Sequence, residues 1–482
     1  MNFTPTADTT LSLTNPVAQC LAFYLLFGLC VLNGWLFARG FHYDMGMPEK
    51  IFTVIIAGTA QIVVLTVVLG LAGRLSYGTL VFSQCAVLAA LAYASRAARA
   101  GGEARAVRRR RAGAARRAGT GIVFVLSLCA ASFALAGITF TRAVITPPPP
   151  SDAFIYHLTL PVKWMHTGSI VPELTDPFGK TFHPSNPETL ILWLILPFHE
   201  DTLANLVSWF FWVCCSAAVY SIGRRCGAGR AESAAAGMLW LYLPGAMTGA
   251  ASSEADHFAA FFLLVSCVFL LRYQRDPHAA SLLWGSLALG IYLGSKLIAA
   301  AFAPPVAAVY TALILRSRRK RVSHLIIFFC SVMLLSFVWY AGNWALTGNP
   351  LAPVEVKLSG MVIFRGAVRM AEITASPFYH TSSWRDAWAA WRDFFSPAMC
   401  ALLAPAWVFA TVNSIRRGRR VQSFVFLLPA VIFFIYWYIV GLNRPESARY
   451  LMPAAALVTA SWSVAVPRRG RPRSLFLALT AL

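Results

Sequence analysis

Charged residues are scarce in this chain, and acidic residues are the scarcest of them. Of the 482 residues, 12% are Asp, Glu, Lys or Arg, only 19 of them acidic, while 58% are hydrophobic. Water-soluble domains carry about twice that charged fraction, so a water-soluble fold is excluded. Many apolar runs reach the roughly 20 residues that a helix needs to cross a bilayer. The composition therefore predicts an all-α polytopic membrane protein, since a β-barrel would show short alternating segments instead.

The sequence also contains no CxxC motif, and no cleavable signal peptide is evident in it. The 10 cysteines include no CxxC spacing, and nearly all lie inside apolar segments, where they act as small hydrophobic side chains. The long polar loops contain none, which predicts that there is no disulfide framework. The first apolar run, about 17–37, is too long for the hydrophobic part of a cleavable signal peptide.

The positive charge is concentrated in short clusters between the apolar runs. A net charge of +22 suggests a nucleic-acid partner at first sight. Positive residues retained on the cytoplasmic side of a membrane explain the clusters better, so no nucleic acid is expected as a partner. The clusters lie at 96–117, 224–230, 272–275, 316–321, 416–420 and 468–473.

The hydropathy pattern predicts about 13 transmembrane helices. With this set, all the basic clusters fall on one side, which the positive-inside rule makes cytoplasmic, and the amino terminus is outside. A last apolar run, 475–482, is too short to span. The predicted helices lie at about 17–38, 51–73, 77–95, 120–142, 203–222, 232–250, 257–272, 281–295, 298–315, 323–342, 398–413, 421–441 and 451–466.

This topology divides the chain into four parts. Residues 1–95 form three additional helices, 96–118 a basic cytoplasmic linker near anionic lipid heads, 119–466 the functional module, and 467–482 a basic tail with a partial last helix. Stretches 189–198 and 383–395 are apolar or amphipathic and are expected to lie along the membrane surface. The tryptophans of the second stretch fit an interfacial aromatic belt better than direct substrate contact. The outer loops are 143–202, 251–256, 343–397 and 442–450.

Asp152 follows a membrane helix by only a few residues, in the sequence PPPPSDAFIYH. If residues 152–157 continue as helix, Asp152 and Tyr156 share a face and His157 is adjacent. A carboxylate here can deprotonate a hydroxyl group or bind a divalent cation. It can equally cap a helix, because Ser or Asp normally caps a helix that follows a proline run. The residues themselves leave both interpretations open.

Other charges lie on the same outer face. The short loop SSEADH at 252–257 keeps Glu254 and Asp256 near the helix mouths, where they can face Asp152 or simply be solvated and cap a helix. Lys296 lies at an outer turn against the positive-inside trend, and it either holds a lipid phosphate or snorkels to the interface.

Two arginines complete the outer face. Arg444 and Arg449 lie in NRPESARYLMP at 443–453. Arginine suits bidentate phosphate contact, and a structural ion pair, for instance with Glu446, is the alternative. Three carboxylates and three cations on one face suit a substrate with a lipid tail in the bilayer and an anionic head at the interface. The carboxylates would act on the acceptor while the cations hold the phosphate.

At these residues the chain resembles the GT-C superfamily of integral-membrane glycosyltransferases, which includes protein mannosyltransferases and aminoarabinose transferases. The resemblance covers about 119–466. Its motifs are DAFIYH from Asp152, WMHTGSI from Trp164, HPSNPETL with Glu188, the acidic loop with Glu254 and Asp256, the turn Gly294–Lys296, TGNPLAP at 347–353 and ARYLMPA at 448–454.

The resemblance implies a GT-C-like helical bundle with two long periplasmic loops that contain short amphipathic helices. It implies a bacterial inner-membrane enzyme that moves a sugar from a polyprenyl-phosphate donor with inversion, at a site facing the periplasm. The first loop lacks the adjacent Asp-Glu pair of protein mannosyltransferases, so a protein acceptor is not favoured. The partners expected are the lipid-linked donor and membrane lipids.

The resemblance also assigns roles to the outer-face residues. Asp152 is the expected general base, and Glu254 or Asp256 is a second acid or a metal ligand. A divalent cation such as Mg²⁺ or Mn²⁺ is left open, with Asp152, Glu254 and Asp256 as its candidate ligands. The substrate-binding candidates are Tyr156, His157, Glu188, Lys296, Arg444 and Arg449.

Three alternatives remain: a transporter or lipid flippase, a non-catalytic membrane scaffold, and an enzyme similar to O-antigen ligases. A transporter would place its ionisable residues near mid-bilayer on broken helices and show internal symmetry, and neither pattern is evident here. Asp152 more than about 15 Å from both Glu254 and Lys296 would favour the transporter or the scaffold, because catalytic groups must reach one substrate.

Overall fold

The structure of the chain, a computed structural model, describes residues 15–41, 45–100, 121–148, 152–172, 180–316, 320–358, 360–369, 384–440 and 445–466. These residues are mostly helical. The α-helices are α1 (Pro16–Arg39), α2 (Met47–Leu71), α3 (Tyr77–Ala100), α4 (Gly121–Ile145), α5 (Thr159–Thr167), α6 (Asn186–Ile195), α7 (Leu206–Arg225), α8 (Arg230–Leu241), α9 (Pro244–Gly249), α10 (Asp256–Arg275), α11 (Ala279–Leu293), α12 (Ala299–Arg316), α13 (Arg321–Thr347), α14 (Trp384–Phe395), α15 (Pro397–Arg416), α16 (Arg420–Phe434) and α17 (Met452–Ala465).

Short segments of other structure connect these helices. A π-helical turn covers Ala153–His157, and another, Ile435–Val440, continues α16. Single 3₁₀ segments cover Lys180–Phe182 and Pro445–Leu451. Strands β1 (Val356–Leu358) and β2 (Met361–Phe364) form an antiparallel hairpin after α13.

Ten helices of the described residues are long and apolar enough to cross a membrane. They coincide with ten of the predicted spans, and the prediction of a polytopic all-α membrane protein is confirmed. The other three predicted spans are shorter or broken. Segment 232–250 divides into α8 and α9, because Pro244 begins a new helix at a position where its missing N–H is tolerated. Helix α11 has 15 residues, and α17 has 14 preceded by a 3₁₀ segment.

Helix α10 is the centre of the bundle. Every residue of its apolar window is buried, and it packs against α7, α11, α12 and α17. Its run of aromatic and aliphatic residues, FAAFFLLVSCVFLL, has no polar face, which is typical of a helix surrounded by other helices. Both ends of α10 carry charged side chains, so the positions of those charges are fixed by the core.

At the carboxyl end of α10 lies an ion-pair network that we call the Glu49 cluster, formed by Glu49, Arg225 and Arg272. The Arg225 Nε and the Arg272 Nη1 donate hydrogen bonds to the two oxygens of Glu49, at 2.6 and 3.2 Å. The cluster joins the start of α2 to the ends of α7 and α10. Arg419 also reaches this end, where it donates to the Cys226 carbonyl at 3.4 Å. Three of the predicted cytoplasmic basic clusters therefore meet at one end of the bundle.

Helix α2 is also tied to the first outer loop. The Ile170 N–H donates to the Gly70 carbonyl at 3.3 Å, and the Trp193 indole donates to the Thr66 hydroxyl at 2.9 Å. Consequently the predicted additional helices pack against the remainder of the protein through α2. The stretch predicted to lie on the membrane surface at 189–198 overlaps α6, which is largely buried against α2 and α5.

Candidate active site

Arg449 joins three carboxylates that are far apart in the sequence; the four residues form what we call the Arg449 cluster. Its Nη2 donates to Asp152, and its Nη1 donates to Glu254. Its Nε lies 3.9 Å from Asp256 Oδ2. Asp152 and Glu254 both contact one guanidinium group, so they lie close together, which is one of the two alternatives that the sequence left open. The separation of more than about 15 Å that would favour a transporter or a scaffold is not what the structure shows.

Lys296 adds a second cation beside the cluster. Its Nζ donates a 2.7 Å hydrogen bond to Asp256 Oδ1 and lies 4.9 Å from the centre of the Tyr450 ring. Lys296 is buried, with 7% of its surface exposed, so it does not snorkel to the interface. The three carboxylates and two cations leave one excess negative charge.

Local structure explains how each acid reaches the site. Asp152 precedes the π-helical turn, but its side chain makes no capping hydrogen bond, and it pairs with Arg449 instead. Asp256 is the first residue of α10, where the helix dipole favours a negative charge. The turn before it is held by the Ser208 hydroxyl, which donates to the Glu254 carbonyl. The Asp152 side chain therefore does not cap the helix.

The charged groups line one small cavity. Asp256, Lys296 and Arg449 line it together with apolar side chains that include Phe302 and Pro453. Charged and apolar surfaces therefore lie next to each other at this site.

Burial and charge act in opposite directions on the ionisation of these groups. Burial raises the pKa of Glu254, and the Arg449 charge opposes that rise. Burial alone would lower the pKa of Lys296 and of Arg449, but the neighbouring carboxylates, Asp256 foremost, raise both above their usual values. Both cations therefore stay charged in the physiological range.

Tyr156, His157 and Glu188 form a second buried group. The His157 Nδ1 and a Glu188 oxygen share a short hydrogen bond that joins the π-helical turn to α6. Tyr156 stacks against His157 at 4.0 Å and lies edge-on to His183 at 5.4 Å. Burial raises the pKa of Glu188 to about 8, and burial together with the charge of Asp152 raises that of Tyr156. These residues lie next to the cluster and contact each other.

Sequence reasoning missed two residues of the site, Tyr450 and Ser208. Tyr450 lies beside Lys296, and its place in ARYLMP next to Arg449 could have suggested it. Ser208 had no such signal, because it is one polar residue within an apolar helix. Arg444 lies outside the described residues, so its predicted role stays a prediction.

The metal-ligand possibility has little geometric support in the part of the chain that the structure describes. There, no group of three or more His, Cys, Asp or Glu side chains is arranged to hold a metal ion. Asp152, Glu254 and Asp256 direct oxygens to Arg449 and Lys296 instead. A metal site at these acids would require them to exchange those partners.

No protein-family model matches the chain, and no curated protein matches it. Among solved structures, ArnT from Cupriavidus metallidurans bound to undecaprenyl phosphate is similar, with a TM-score of 0.53 and 15% identity. The match covers 73% of this chain and 61% of that one. ArnT is a GT-C aminoarabinose transferase.

The chain has the GT-C fold.

A second similar structure is the oligosaccharyltransferase AglB from Archaeoglobus fulgidus, in complex with an inhibitory peptide and a dolichol-phosphate. It matches at 13% identity and a TM-score of 0.43, over 75% of this chain and 54% of that one. A TM-score this low does not by itself establish a common fold. The chain spans less than two thirds of either structure. The expected GT-C-like bundle is confirmed as a fold, and the function of the site is argued below from its own residues.

Proposed function

We propose that this GT-C protein is a membrane glycosyltransferase that moves a sugar from a polyprenyl-phosphate donor to an acceptor hydroxyl, with inversion at the anomeric carbon. In this proposal the Arg449 cluster and Lys296 are the active site, and Asp152 is the general base. The site lies at the end of α10 opposite the basic Glu49 cluster. By the positive-inside rule it faces the outside of the membrane, which is the periplasm in a bacterial inner membrane.

One observation supports this proposal most strongly. Two cations lie next to the amino termini of helices, and apolar side chains lie beside them. Asp256 begins α10, and Lys296 and Arg449 each precede a helix by three residues, α12 and α17 respectively. The positive end of the helix dipole at an amino terminus attracts anions. Two buried cations strengthen that attraction, and the apolar wall of the cavity suits the adjoining lipid chain.

The chemistry follows from the charge changes of the reaction. Asp152 accepts the proton of the acceptor hydroxyl while the acceptor oxygen forms a bond to the anomeric carbon. The bond from that carbon to the phosphate oxygen breaks, and its electron pair leaves on the phosphate. The donor is a phosphodiester with one negative charge, whereas the released lipid phosphate is a monoester with up to two. Lys296 and Arg449 therefore stabilise charge that develops as the leaving group departs.

Asp152→Asn is the direct test. Removing the base is expected to lower turnover by about 10²–10⁴-fold when the purified full chain is assayed with a panel of polyprenyl-phosphate sugars. Asp201→Asn is the matched control, since Asp201 is an exposed acid near the end of the same outer loop. Turnover of Asp152→Asn equal to that of the control would remove Asp152 as base. Lipid movement without any sugar transfer by the wild-type chain would indicate a flippase.

A further inference from the structure

Each of the three guanidinium nitrogens of Arg449 faces a carboxylate. Its Nη2 and Nη1 are directed to Asp152 and Glu254. Its Nε makes no hydrogen bond within the described chain, but it faces Asp256 Oδ2 at 3.9 Å. Bidentate binding of a phosphate uses two neighbouring N–H groups of the guanidinium. A phosphate bound there beside all three carboxylates would be repelled by like charges, so its binding favours the displacement of one carboxylate.

Of the three carboxylates, Asp152 has the most exposed side chain and the fewest other contacts in the part of the chain that the structure describes. Asp256 is buried, with 4% of its surface exposed, and it also accepts a hydrogen bond from Lys296. Glu254 lies in a turn that is fixed by Ser208, and its side chain is 14% exposed. The Asp152 side chain is 20% exposed and makes no capping hydrogen bond. Displacement of Asp152 thus disturbs the fewest other contacts.

Asp152 is also the group that must be released for the reaction. The oxygen Oδ2 of Asp152 is held against the guanidinium of Arg449, so it is turned away from an acceptor hydroxyl. A general base must lie within hydrogen-bond reach of the proton that it accepts, so this oxygen cannot act while the pair persists. The structure shows Asp152 in that paired state.

From this geometry, and resting on the proposed function, we propose that Arg449 passes from Asp152 to the donor phosphate, so that donor binding is the event that frees the base. The acceptor then meets a free Asp152 only when the donor is already bound, which predicts an ordered reaction with the donor first. After transfer, loss of the lipid phosphate and of the proton on Asp152 restores the ion pair. The exchange keeps the base inactive without its donor.

The first test is a double-mutant cycle on the binding of undecaprenyl phosphate to the full chain in nanodiscs. Asp152→Asn removes the competitor for Arg449, so affinity is expected to rise about 10-fold, the value of one hydrogen bond to a charged group. In an Arg449→Gln background, the same Asp152→Asn change is expected to alter affinity by less than about twofold. An equal increase in both backgrounds would mean simple charge repulsion and would overturn the exchange.

A second test needs no variant. Carboxylates are labelled by a water-soluble carbodiimide and an amine, and mass spectrometry reports the labelling of Asp152 with and without undecaprenyl phosphate. Release from Arg449 predicts that the lipid phosphate increases labelling of Asp152, with Asp201 unchanged as the control. Decreased or unaltered labelling of Asp152 at saturating lipid would contradict release.

The two proposals fail in different ways. If neither the wild-type chain nor any variant binds undecaprenyl phosphate or transfers sugar from a polyprenyl phosphate, the proposed function is wrong and the exchange falls with it. If the lipid binds but Asp152→Asn leaves its affinity unchanged, the exchange alone is wrong.

Discussion

The two ends of α10 carry opposite versions of one arrangement. At its carboxyl end, the Glu49 cluster places one acid between two arginines. At its amino end, the Arg449 cluster places one arginine among three acids. Asp256 and Arg272 are 16 residues apart on this helix, or about 24 Å at 1.5 Å per residue. Both networks are largely buried, yet their charges relate differently to the helices around them.

In the Glu49 cluster every charge suits its helix. Glu49 lies in the first turn of α2, and Arg225 and Arg272 lie in the last turns of α7 and α10. These are the ends at which the helix dipole favours an acid and a base respectively. The cluster therefore stabilises three helix ends while it joins them.

At the Arg449 cluster and the neighbouring Lys296, the two cations oppose the helices that follow them. Arg449 and Lys296 lie just before the amino termini of α17 and α12, where the dipole disfavours a positive charge. Asp256, at the start of α10, is placed where the dipole favours its charge. Two cations held at helix amino termini are expected of an anion-binding site, whereas the Glu49 cluster is expected of a structural joint.

The largest expected effects come from substituting the central residue of each cluster by an uncharged one. Arg449→Gln should weaken binding of undecaprenyl phosphate about 10–100-fold through loss of charge-assisted hydrogen bonds. Glu49→Gln leaves Arg225 and Arg272 without their acid, so it should lower the free energy of unfolding by about 3–5 kcal/mol. It should leave lipid affinity and turnover of the folded protein within about twofold, because Glu49 lies about 24 Å from the site.

Both variants are measured for lipid binding in nanodiscs and for thermal unfolding. If Glu49→Gln weakens lipid binding as much as Arg449→Gln does, the two clusters do not differ in function. If Glu49→Gln unfolds at the wild-type temperature, the Glu49 cluster does not stabilise the fold.

A smaller effect is expected on the pH dependence of stability, through the His157–Glu188 pair beside the Arg449 cluster. It tests whether this pair stabilises the fold. Burial raises the pKa of Glu188 from 4.5 to about 8 in the folded protein. The folded state therefore binds a proton that the unfolded state has lost, and stability falls as pH rises from about 4.5 to about 8. Glu188→Gln should flatten this fall in the unfolding temperature, whereas Glu200→Gln, an exposed acid of the same loop, should not. Equal pH profiles for wild type and Glu188→Gln would contradict the shift.

Much of the fold could be predicted because a bilayer makes spanning helices visible as apolar runs. The break between α8 and α9 was not predicted, although Pro244 gave a local signal for it. The boundary of the functional module was placed near Gly119, yet Glu49, Thr66 and Gly70 connect α2 to later parts of the chain by hydrogen bonds. Such contacts depend on packing, which hydropathy does not report.

The sequence predicted most residues of the candidate site but not the contacts between them. Short loops and helix mouths limit where Asp152 and Glu254 can lie, so their approach could be predicted. Arg449 follows Asp152 by 297 positions, and no local pattern pairs residues so distant. The sequence predicted that Arg449 contacts phosphate. The structure shows that Arg449 also contacts the three acids.

In our proposal Arg449 and Lys296 bind the lipid phosphate, whereas the Glu49 cluster only joins helix ends. An experimental structure of the full chain with undecaprenyl phosphate tests it most directly. We predict phosphate density within hydrogen-bond distance of Arg449 and Lys296, with Asp152 separated from Arg449. Phosphate at the Glu49 cluster, or an intact Asp152–Arg449 pair beside a phosphate bound elsewhere, would contradict the account.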